Sequence, residues 1–242
     1  QWKEPIIVDR KDEIGKLGSS IEYLRKQLIR QDEAEQSFLQ HVSHELKTPV
    51  MVIQSYAEAI KDGIYPKGDL ELSIDVINDE SKRLEKKIRD LLYLNKLNYL
   101  SSHSLEKVEF SLDGLIKQVI DRFNWHKPNI HWELDLEPTS IEGDLDQWRV
   151  VIENLLDNQI RYAEKVILVS LKNIDNKTIL RIWNDGPQIE EDLANTLFDK
   201  FNKGYKGEFG LGLAIVHRIL LSHGSKIYAK NEEKGVSFYI EV

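Results

Sequence analysis

The stretch SHELKTP, residues 43–49, lies inside a long polar segment whose apolar residues recur with helical spacing. In this stretch His44 is followed directly by Glu45, and Thr48 and Pro49 come one helical turn later. Because residues four apart stack on one helix face, Thr48 is expected on the same face as His44. Pro49 has no N–H and crowds the carbonyl of residue 45, so a bend in the helix is expected there.

Two interpretations of this stretch are open. In the first, His44 is an ordinary exposed histidine, and Thr48 caps a new helix whose first residue is Pro49. In the second, His44 is a reactive group and Thr48 serves the same chemistry. The second interpretation is favoured by the motifs in the second half of the chain.

The residues before SHELKTP form a heptad seam, which is typical of a coiled coil. Polar residues at the seam positions Gln31 and Glu35 interrupt it, before Phe38 and Val42 resume it. The polar gap either lets the helices shift or is simply tolerated, and both explanations stay open. His44 falls off the seam, so its side chain is expected to be accessible. The seam residues before the gap are Ile14, Leu17, Ile21, Leu24 and Leu28.

A turn at residues 62–69, DGIYPKGD, separates this helix from a second one with the same apolar spacing. Two helices joined by a short loop form a hairpin with one apolar stripe. A single hairpin cannot bury that stripe, so two copies are expected to pair as a four-helix bundle. The apolar positions of the second helix are Leu70, Ile74, Ile77, Leu84, Ile88 and Leu91.

Composition limits the classes of protein and partner. The 242 residues are 41% hydrophobic and 31% charged, as in a soluble protein with exposed helices. The net charge of −8 argues against nucleic acid as a partner. The absence of cysteine excludes disulfides and thiolate metal sites. No apolar run approaches the ~18 residues of a membrane span. The chain begins at Gln1 instead of Met, so we expect a fragment of a longer protein.

The second half alternates helix and strand patterns, which predicts an α+β two-layer sandwich with helices on one face of a sheet. Ser111 is the expected cap of the first helix, Asp175 and Asn176 form a hairpin turn, and a loop covers 185–209. The expected helices are 112–123, 145–162 and 212–222, and the expected strands are 108–110, 130–136, 141–142, 166–172, 178–183, 226–229 and 236–241.

The helix ENLLDNQIRY, residues 153–162, places Asn154, Asn158 and Arg161 on one face. Mg²⁺ prefers oxygen ligands and usually keeps waters and phosphate oxygens in its shell. The carbonyl oxygen of one Asn can complete such a shell, and the Arg161 guanidinium can neutralise phosphate charge.

Three further signals follow in order. The stretch NDGPQI comes directly after a strand, where an amide or carboxylate can bond the adenine amino group and Gly186 lets backbone come close. LFDKFNKG, residues 197–204, supplies two phenylalanines and two lysines. GEFGLGLAI opens a helix, so its backbone N–H groups can meet phosphates. Each signal alone has a commoner structural explanation, but the four in this order are far more specific.

With these motifs the chain resembles, over residues 36–242, a sensor histidine kinase of a bacterial two-component system. SHELKTP is similar to the H box, NLLDNQIRY to the N box, NDGPQI to the G1 box, LFDKF to the F box and GLGLAI to the G2 box. DEIG and the heptad seam resemble the second half of a HAMP domain. The resemblance implies three parts: a partial HAMP coiled coil at 1–35, a dimerisation and histidine phosphotransfer domain at 36–102, and a GHKL (Bergerat-type) ATP-binding catalytic domain at 103–242.

By the same resemblance, His44 is the phosphoacceptor, Glu45 its acid/base neighbour, and Thr48 the hydroxyl used in phosphatase action. Asn158 is the implied Mg²⁺ ligand, and ATP is the implied nucleotide. The implied nucleotide-binding residues are Asn154, Asn158, Arg161, Tyr162, Asn184, Asp185, Gly186, Phe198, Phe201, Lys203, Gly210, Leu211, Gly212 and Leu213.

The function implied is ATP-dependent autophosphorylation on His44, then transfer to an Asp of a response regulator, with dephosphorylation of that regulator as a further activity. The implied protein is a homodimer at the cytoplasmic side of the bacterial membrane, anchored by a sensor segment upstream of this chain. Two alternatives remain: a GHKL-type ATPase, which normally needs a Glu where Asn154 stands, and a degenerate ATP-binding dimeric scaffold.

Several residues depart from the family pattern. Asn184 stands where Asp is usual, and the adjacent Asp185 is a rival for its role. These departures are compatible with weak ATP affinity, and they support the scaffold alternative. The others are Gln188 for the second glycine of the G1 box, Gln159 for the alanine of the N box, Glu208 for the first glycine of the G2 box, and Lys200 for a common Arg.

Overall fold

A computed structural model describes residues 4–5, 10, 12–100, 106–124, 130–175, 177–194, 196–201 and 209–242. The chain divides into two compact units, Gln1–Leu84 and Glu85–Val242, and each is described by itself. The division into parts at 1–35, 36–102 and 103–242 stays a prediction. The turn residue Asn176 and the site candidates Lys203 and Glu208 lie outside the described residues.

The first unit begins with one long helix, α1 (Glu13–Lys61), which carries the SHELKTP motif. Asp12 caps it by accepting the N–H of Gly15 at 3.1 Å. The helix continues without interruption through Pro49, which is buried. Thr48 therefore lies in mid-helix, where its hydroxyl donates to the carbonyl of His44 at 3.3 Å. The interpretation of Thr48 as the cap of a helix restarted at Pro49 is wrong.

The heptad seam of α1 is largely exposed in the single chain. The exposed fractions of its five side chains lie between 44% at Ile21 and 61% at Leu17. A row of exposed leucine and isoleucine side chains along one helix is unfavourable in water. The first unit alone leaves this stripe uncovered, as expected for a helix that pairs with a second copy.

The turn at residues 62–69 leads into the second helix, α2 (Leu70–Leu100). Asp69 begins it by accepting the N–H of Leu72 at 2.8 Å. Ser73, which is fully buried, donates its hydroxyl to the carbonyl of Asp69 at 2.7 Å. The predicted helical hairpin is therefore present, with its turn where the Gly, Pro and Asp residues placed it.

The second unit contains two sheets. The smaller pairs β1 (Val108–Ser111) with β3 (Ser140–Gly143) in antiparallel orientation. The larger has five strands in the order β2-β4-β5-β7-β6, of which only the β2–β4 pair is parallel. Its strands are β2 (His131–Leu136), β4 (Val166–Ile174), β5 (Lys177–Asn184), β6 (Lys226–Asn231) and β7 (Val236–Glu241).

Three helices pack with these strands: α3 (Leu112–Asn124), α4 (Leu145–Tyr162) and α6 (Gly212–Ser222). Ser111 caps α3 by accepting the N–H of Gly114 at 3.0 Å, as predicted. Alternate residues of β4 are fully buried, so one face of the sheet forms the core with the helices. The core residues include Ile167, Val169 and Leu171 of β4 and Val151, Ile152, Leu155 and Leu156 of α4. The predicted two-layer sandwich is confirmed.

One predicted loop contains a helix. Residues 185–209 were expected to be irregular, but Glu191–Ala194 form a short helix, α5. Its hydrogen bonds begin at the carbonyl of Glu190, which accepts the N–H groups of Leu193 and Ala194. A single turn is too short to show a helical period in the sequence, which explains the error.

The C-terminal end of α2 belongs to the second unit. Leu94 and Leu97 are only 2% and 6% exposed. The ammonium of Lys86 lies 2.7 Å from the carboxylate of Asp157 on α4. Burial and, after it, the carboxylates of Asp144 and Asp146 raise the pKa of Tyr93 to about 12. The last turns of α2 therefore pack along α4.

Leu94→Ala is expected to destabilise the second unit by about 2–5 kcal/mol, because it removes a buried side chain that cannot be replaced by water. Leu92, two residues away and 64% exposed, is the matched control, and Leu92→Ala should change stability by less than about 0.5 kcal/mol. Urea unfolding followed by tryptophan fluorescence measures both. Equal effects of the two substitutions would contradict the packing of α2 in this unit.

Candidate functional site

Helix α4 presents the first group of predicted site residues. Asp144 starts the helix by accepting the N–H of Gln147 at 3.0 Å. The side chain of Asn158, a half-buried residue, makes no hydrogen bond within the part of the chain that the structure describes. Arg161 lies on the same face, and its guanidinium is held 3.0 Å from the carboxylate of Asp157, one turn earlier. The face therefore carries an unengaged amide beside a positioned cation.

Asn154 faces the start of α6. Its side-chain N–H donates to the carbonyl of Val150 at 2.8 Å, so its oxygen points away from its own helix. A Cβ on Gly212 would lie 2.9 Å from that oxygen. Leu211, fully buried, precedes α6 without a capping hydrogen bond from its side chain. Uncapped N–H groups at a helix N-terminus favour an anion, and the predicted residues of the N and G2 boxes meet at this helix start.

Gly186 packs against the last residue of α4. A Cβ at this position would lie 2.0 Å from the carbonyl oxygen of Tyr162, so no side chain fits. The turn after β5 and the end of α4 are in direct contact as a result. The structure thus brings together Tyr162 of the N box and Gly186 of the G1 box, which are separated by 24 positions in the sequence.

Asn184, at the end of β5, is 2% exposed and forms a buried amide pair with Gln159 of α4. Its side-chain nitrogen donates to Gln159 Oε1 at 2.5 Å, and its oxygen accepts the N–H of Gly186 at 2.8 Å. Gln159 has no exposed surface, and its Nε2 has no partner among the described residues. The sequence marked Gln159 only as a departure from a pattern; its pairing with Asn184 needed the fold.

The neighbouring carboxylate, Asp185, is engaged with backbone. It accepts the N–H groups of Glu164, Lys165 and Val166 at 2.8, 3.1 and 3.2 Å. Burial alone would raise its pKa, but these bonds outweigh burial and hold the pKa below its ordinary value. Asp185 anchors the connection between α4 and β4, and Asn184 is therefore the better candidate for a contact with a base.

The two predicted phenylalanines lie in different surroundings. Phe198 packs its ring 5.7 Å from His217 and 6.4 Å from Phe238, as a core residue does. Phe201 has a φ of +63°, a conformation that non-glycine residues rarely adopt. Its N–H donates to the carbonyl of Gly210 at 2.9 Å, which fixes the chain just before α6.

Sequence reasoning gave no role to Phe209, which is 5% exposed. Its ring lies 5.6 Å from that of Phe201, and the ammonium of Lys87 lies 5.5 Å above it. No spacing rule connects Lys87 to Phe209, because their contact depends on how α2 packs in this unit. Phe209 therefore fixes the residues before α6 against the end of α2.

Gln188, at a position where the family pattern has glycine, binds the turn after β5 to the connection between β6 and β7. Its side-chain nitrogen donates to the carbonyl of Glu232 at 2.6 Å. Beside it, Ile189 and Asn231 exchange two hydrogen bonds of 2.8 Å. These bonds join the turn after β5 to the β6–β7 connection. Gln188 therefore makes a structural contact that a glycine at this position could not make.

In the first unit, His44 and Thr48 are exposed and Glu45 is half-exposed on α1. Exposure of His44 agrees with its predicted place off the seam. Since Thr48 bonds the carbonyl of His44, the two residues lie on one helix face, as their spacing required. The face offers an imidazole, a carboxylate and a hydroxyl to whatever approaches it.

Within the described ranges, no three His, Cys, Asp or Glu side chains lie close enough to hold a metal ion. The unengaged amide of Asn158 offers an oxygen of the kind that Mg²⁺ prefers. In the same part of the chain, no helix combines the length and the apolar character needed to cross a membrane.

Two family profiles match the chain. The His Kinase A (phospho-acceptor) domain matches residues 34–100. The histidine kinase-, DNA gyrase B- and HSP90-like ATPase domain matches residues 143–242. Together these cover the helical hairpin and most of the sandwich that carries the candidate nucleotide face.

Curated proteins of the same kind are similar over nearly the whole chain. Sensor histidine kinase CssS of Bacillus subtilis (strain 168) is 50% identical over 242 residues, which are 100% of this chain and 54% of that protein. Sensor histidine kinase YkoH of the same organism is 30% identical over 234 residues, 91% of this chain and 50% of that protein. The chain thus spans about half the length of these relatives.

Solved structures of histidine kinases are also similar to this chain. Acinetobacter baumannii histidine kinase AdeS has a TM-score of 0.70 at 26% identity, covering 82% of this chain and 96% of that chain. The nucleotide-free catalytic domain of histidine kinase ThkA has a TM-score of 0.53 at 32% identity, covering 57% and 97%. ThkA in complex with response regulator protein TrrA has a TM-score of 0.73 at 27% identity, covering 91% and 65%.

Asp185→Asn is expected to destabilise the second unit by about 1.5–3 kcal/mol at pH 7, because a charged acceptor of backbone N–H groups is lost. The folded pKa of Asp185 is lowered, so its contribution is complete above the ordinary value of 3.8 and is lost as the pH falls through the folded pKa. The stability difference from the unsubstituted chain should therefore shrink below about pH 3.8.

Urea unfolding between pH 7 and pH 3 measures this difference. Asp121→Asn, on the exposed surface of α3, is the control and should show almost no difference at any pH. The anchoring role of Asp185 would be contradicted if Asp185→Asn and the unsubstituted chain had equal free energies of unfolding at pH 7. It would also be contradicted if the difference between these free energies grew in acid.

Proposed function

Since the chain belongs to the sensor histidine kinase family, we propose that it phosphorylates itself on His44 with ATP and passes the phosphoryl group to an aspartate of a response regulator. In the first step a ring nitrogen of His44 forms a bond to the γ-phosphorus of ATP, and the bond from that phosphorus to the bridging oxygen breaks. ADP leaves, and Glu45 takes the imidazole proton. The aspartate carboxylate of the regulator then displaces His44.

The observation that carries this proposal is the meeting of separate motifs in the second unit. The oxygen of Asn154 faces Gly212 at the uncapped start of α6, and Gly186 lies against the carbonyl of Tyr162. The N–H groups proposed for the phosphates thus lie beside Asn154 of α4. The turn proposed for the base lies beside Tyr162, at the end of the same helix. A nucleoside triphosphate needs both a phosphate-binding and a base-binding element, because phosphoryl transfer depends on positioning and charge neutralisation.

Asn184 and Asn158 have distinct proposed roles at this face. The oxygen of Asn184 accepts one hydrogen bond and has a second lone pair for the adenine amino group. Asn158 is proposed as the one protein ligand of Mg²⁺, since its amide is unengaged in the described chain and the ion prefers oxygen. When bound, Mg²⁺ neutralises phosphate charge. Arg161, oriented by Asp157, is placed for the same purpose.

The partners belong to the same proposal. The exposed seam of α1 supports a homodimer, with the apolar stripes of two hairpins forming a four-helix bundle. The ThkA structure contains a response regulator protein, and this supports a regulator as the substrate of the exposed His44 face. CssS is a sensor protein about twice as long, so we propose an upstream sensor segment that anchors the protein at the cytoplasmic side of the membrane.

The two alternatives receive less support. A GHKL-type ATPase would need a general base near the Mg²⁺ ligand, but Asn154 stands at that position and bonds its own helix. The adjacent Glu153 is paired with Arg122 at 2.9 Å. A scaffold without activity was favoured by the departures at Gln188 and Gln159, yet both side chains are hydrogen-bonded parts of the site.

Incubation with γ-labelled ATP and Mg²⁺ is expected to label the chain with phosphate that is lost in acid and kept in base. His44→Gln should remove the label, because no ring nitrogen remains to accept the phosphoryl group. His41→Gln, another exposed histidine of α1, is the matched control and should keep it. Release of phosphate without protein label would favour the ATPase, and neither product would favour the scaffold.

Thr48→Ala is expected to lower dephosphorylation of the regulator by about 10²-fold, because a hydroxyl that positions the attacking water is lost. Autophosphorylation should stay within severalfold. Thr48 lies in mid-helix, where Ala is the better helix former, so the substitution should not unfold α1. Thr48→Ser, which keeps the hydroxyl, should retain both activities. Equal loss of both activities in Thr48→Ala would contradict a specific role for Thr48.

A further inference from the structure

We propose that His223 forms an acid-sensitive latch: its neutral ring holds the start of α4 to the end of α6, and protonation of the ring releases that contact. The proposal does not depend on nucleotide binding, because it concerns the end of α4 opposite to Asn158 and Arg161. It starts from two hydrogen bonds of the imidazole, one to each helix.

The protonation state of the His223 ring follows from its two partners. The carbonyl of Ile219, in the last turn of α6, can only accept, so Nδ1 at 2.9 Å from its oxygen must carry a proton. The backbone N–H of Asp144 can only donate, so Nε2 at 3.1 Å from that nitrogen must offer its lone pair. A ring that donates from Nδ1 and accepts at Nε2 is a neutral imidazole.

The packing around His223 holds the ring in this orientation. The indole of Trp148, which is 1% exposed, lies in a T-shaped arrangement with the imidazole, with ring centroids 6.0 Å apart. On another side, a Cβ on Gly143 would lie 3.1 Å from Cδ2 of the imidazole, so the backbone at the end of β3 comes close. The half-buried ring is therefore confined where Nε2 meets the N–H of Asp144.

The latch fixes one of the two ends of α6 to α4. At the other end, Gly212 lies against the side chain of Asn154. Asn154 and Asp144 are ten positions apart in the sequence, and Gly212 and His223 are eleven positions apart. Helix α6 therefore runs along α4 in the opposite direction, with one such contact at each end. Release of His223 removes the contact at the C-terminal end of α6.

Protonation of His223 reverses the sign of this contact. A proton on Nε2 would face the N–H of Asp144, so two donors would oppose each other in a half-buried place. Histidine is the side chain that ordinarily changes charge between pH 5 and pH 8. Mild acid is therefore enough to open the latch.

The charged groups at this end of α4 act in the same direction. The carboxylate of Asp144 accepts the backbone N–H and the side-chain N–H of Gln147 at 3.0 and 2.9 Å. A charged ring attracted to this carboxylate would have to leave its place at the N–H of Asp144. Asp146 adds a second carboxylate, and Tyr93 on α2 stays uncharged, because burial and, after it, these two carboxylates raise its pKa to about 12.

Urea unfolding of the whole chain at pH 7.5 and pH 5.5, followed by tryptophan fluorescence, tests the latch. Histidines of an unfolded chain bind a proton below about pH 6.5, whereas the closed latch binds none, so its contribution to stability is lost as the pH falls. Relative to His223→Gln, the unfolding equilibrium constant of the unsubstituted chain should rise about 10-fold between the two pH values. Glutamine does not titrate, and its Oε1 can accept the N–H of Asp144.

His217→Gln, at an exposed histidine of the same helix, is the matched control and should keep the 10-fold acid effect. His223→Leu, which cannot accept the N–H of Asp144, should be less stable than His223→Gln at pH 7.5 and should share its small acid effect. A role for His223 in packing alone would give the unsubstituted chain and His223→Gln the same pH dependence within about 2-fold, which overturns the proposal.

NMR spectra of the whole chain with ¹⁵N-labelled histidine and backbone measure the ring directly. At pH 7.5 the ring of His223 should be neutral with its proton on Nδ1. As the pH is lowered, the signal of the Asp144 amide should shift together with the charging of the ring. A proton on Nε2 at pH 7.5, or a charged ring beside an unchanged Asp144 amide signal, would refute the latch.

Discussion

The contact between the end of α4 and the turn after β5 is the constraint on which the second unit depends. Gly186 lies so close to the carbonyl of Tyr162 that no side chain fits between them. Asp185, the residue before it, binds the backbone N–H groups that follow α4. One short turn thus fixes the helical layer to the sheet and, through Asn184 and Gln159, shapes the buried part of the nucleotide face.

The two units differ in how far they bury their apolar side chains. The second unit closes on itself, with fully buried side chains on β4, β5 and α4. The first unit leaves the seam of α1 exposed, which is the basis for proposing a second copy as its partner. Helix α2 belongs to both, because its first turns form the hairpin and its last turns pack along α4.

Three of the departures from the family pattern, Asn184, Gln159 and Gln188, form hydrogen bonds within the second unit. Gln188 bonds the carbonyl of Glu232 at a position where the family has glycine, and Gln159 bonds Asn184 at a position where the family has alanine. Substitution of Asp by Asn at position 184 removes a charge, and Gln159 supplies a matching amide. At both positions the residue present forms a hydrogen bond that the usual residue of the family could not form.

The sequence by itself determined the order and type of nearly all elements, because apolar spacing, caps and turn residues act within a few positions. Helices α4 and α6 and strand β7 begin and end where the pattern placed them, and the exposure of His44 followed from the seam. The one-turn helix α5 was missed, since a single turn has no period.

Only the tertiary structure decided which of two adjacent polar residues binds backbone and which pairs with a side chain of α4. Asn184 and Asp185 are neighbours in the sequence, but Asn184 is the last residue of β5 and Asp185 is the first residue of the turn after it. Whether either meets α4 depends on packing between elements about 20 residues apart. The same reason applies to Gln159, whose partner lies 25 positions away and whose unpaired donor exists only because the fold buries it.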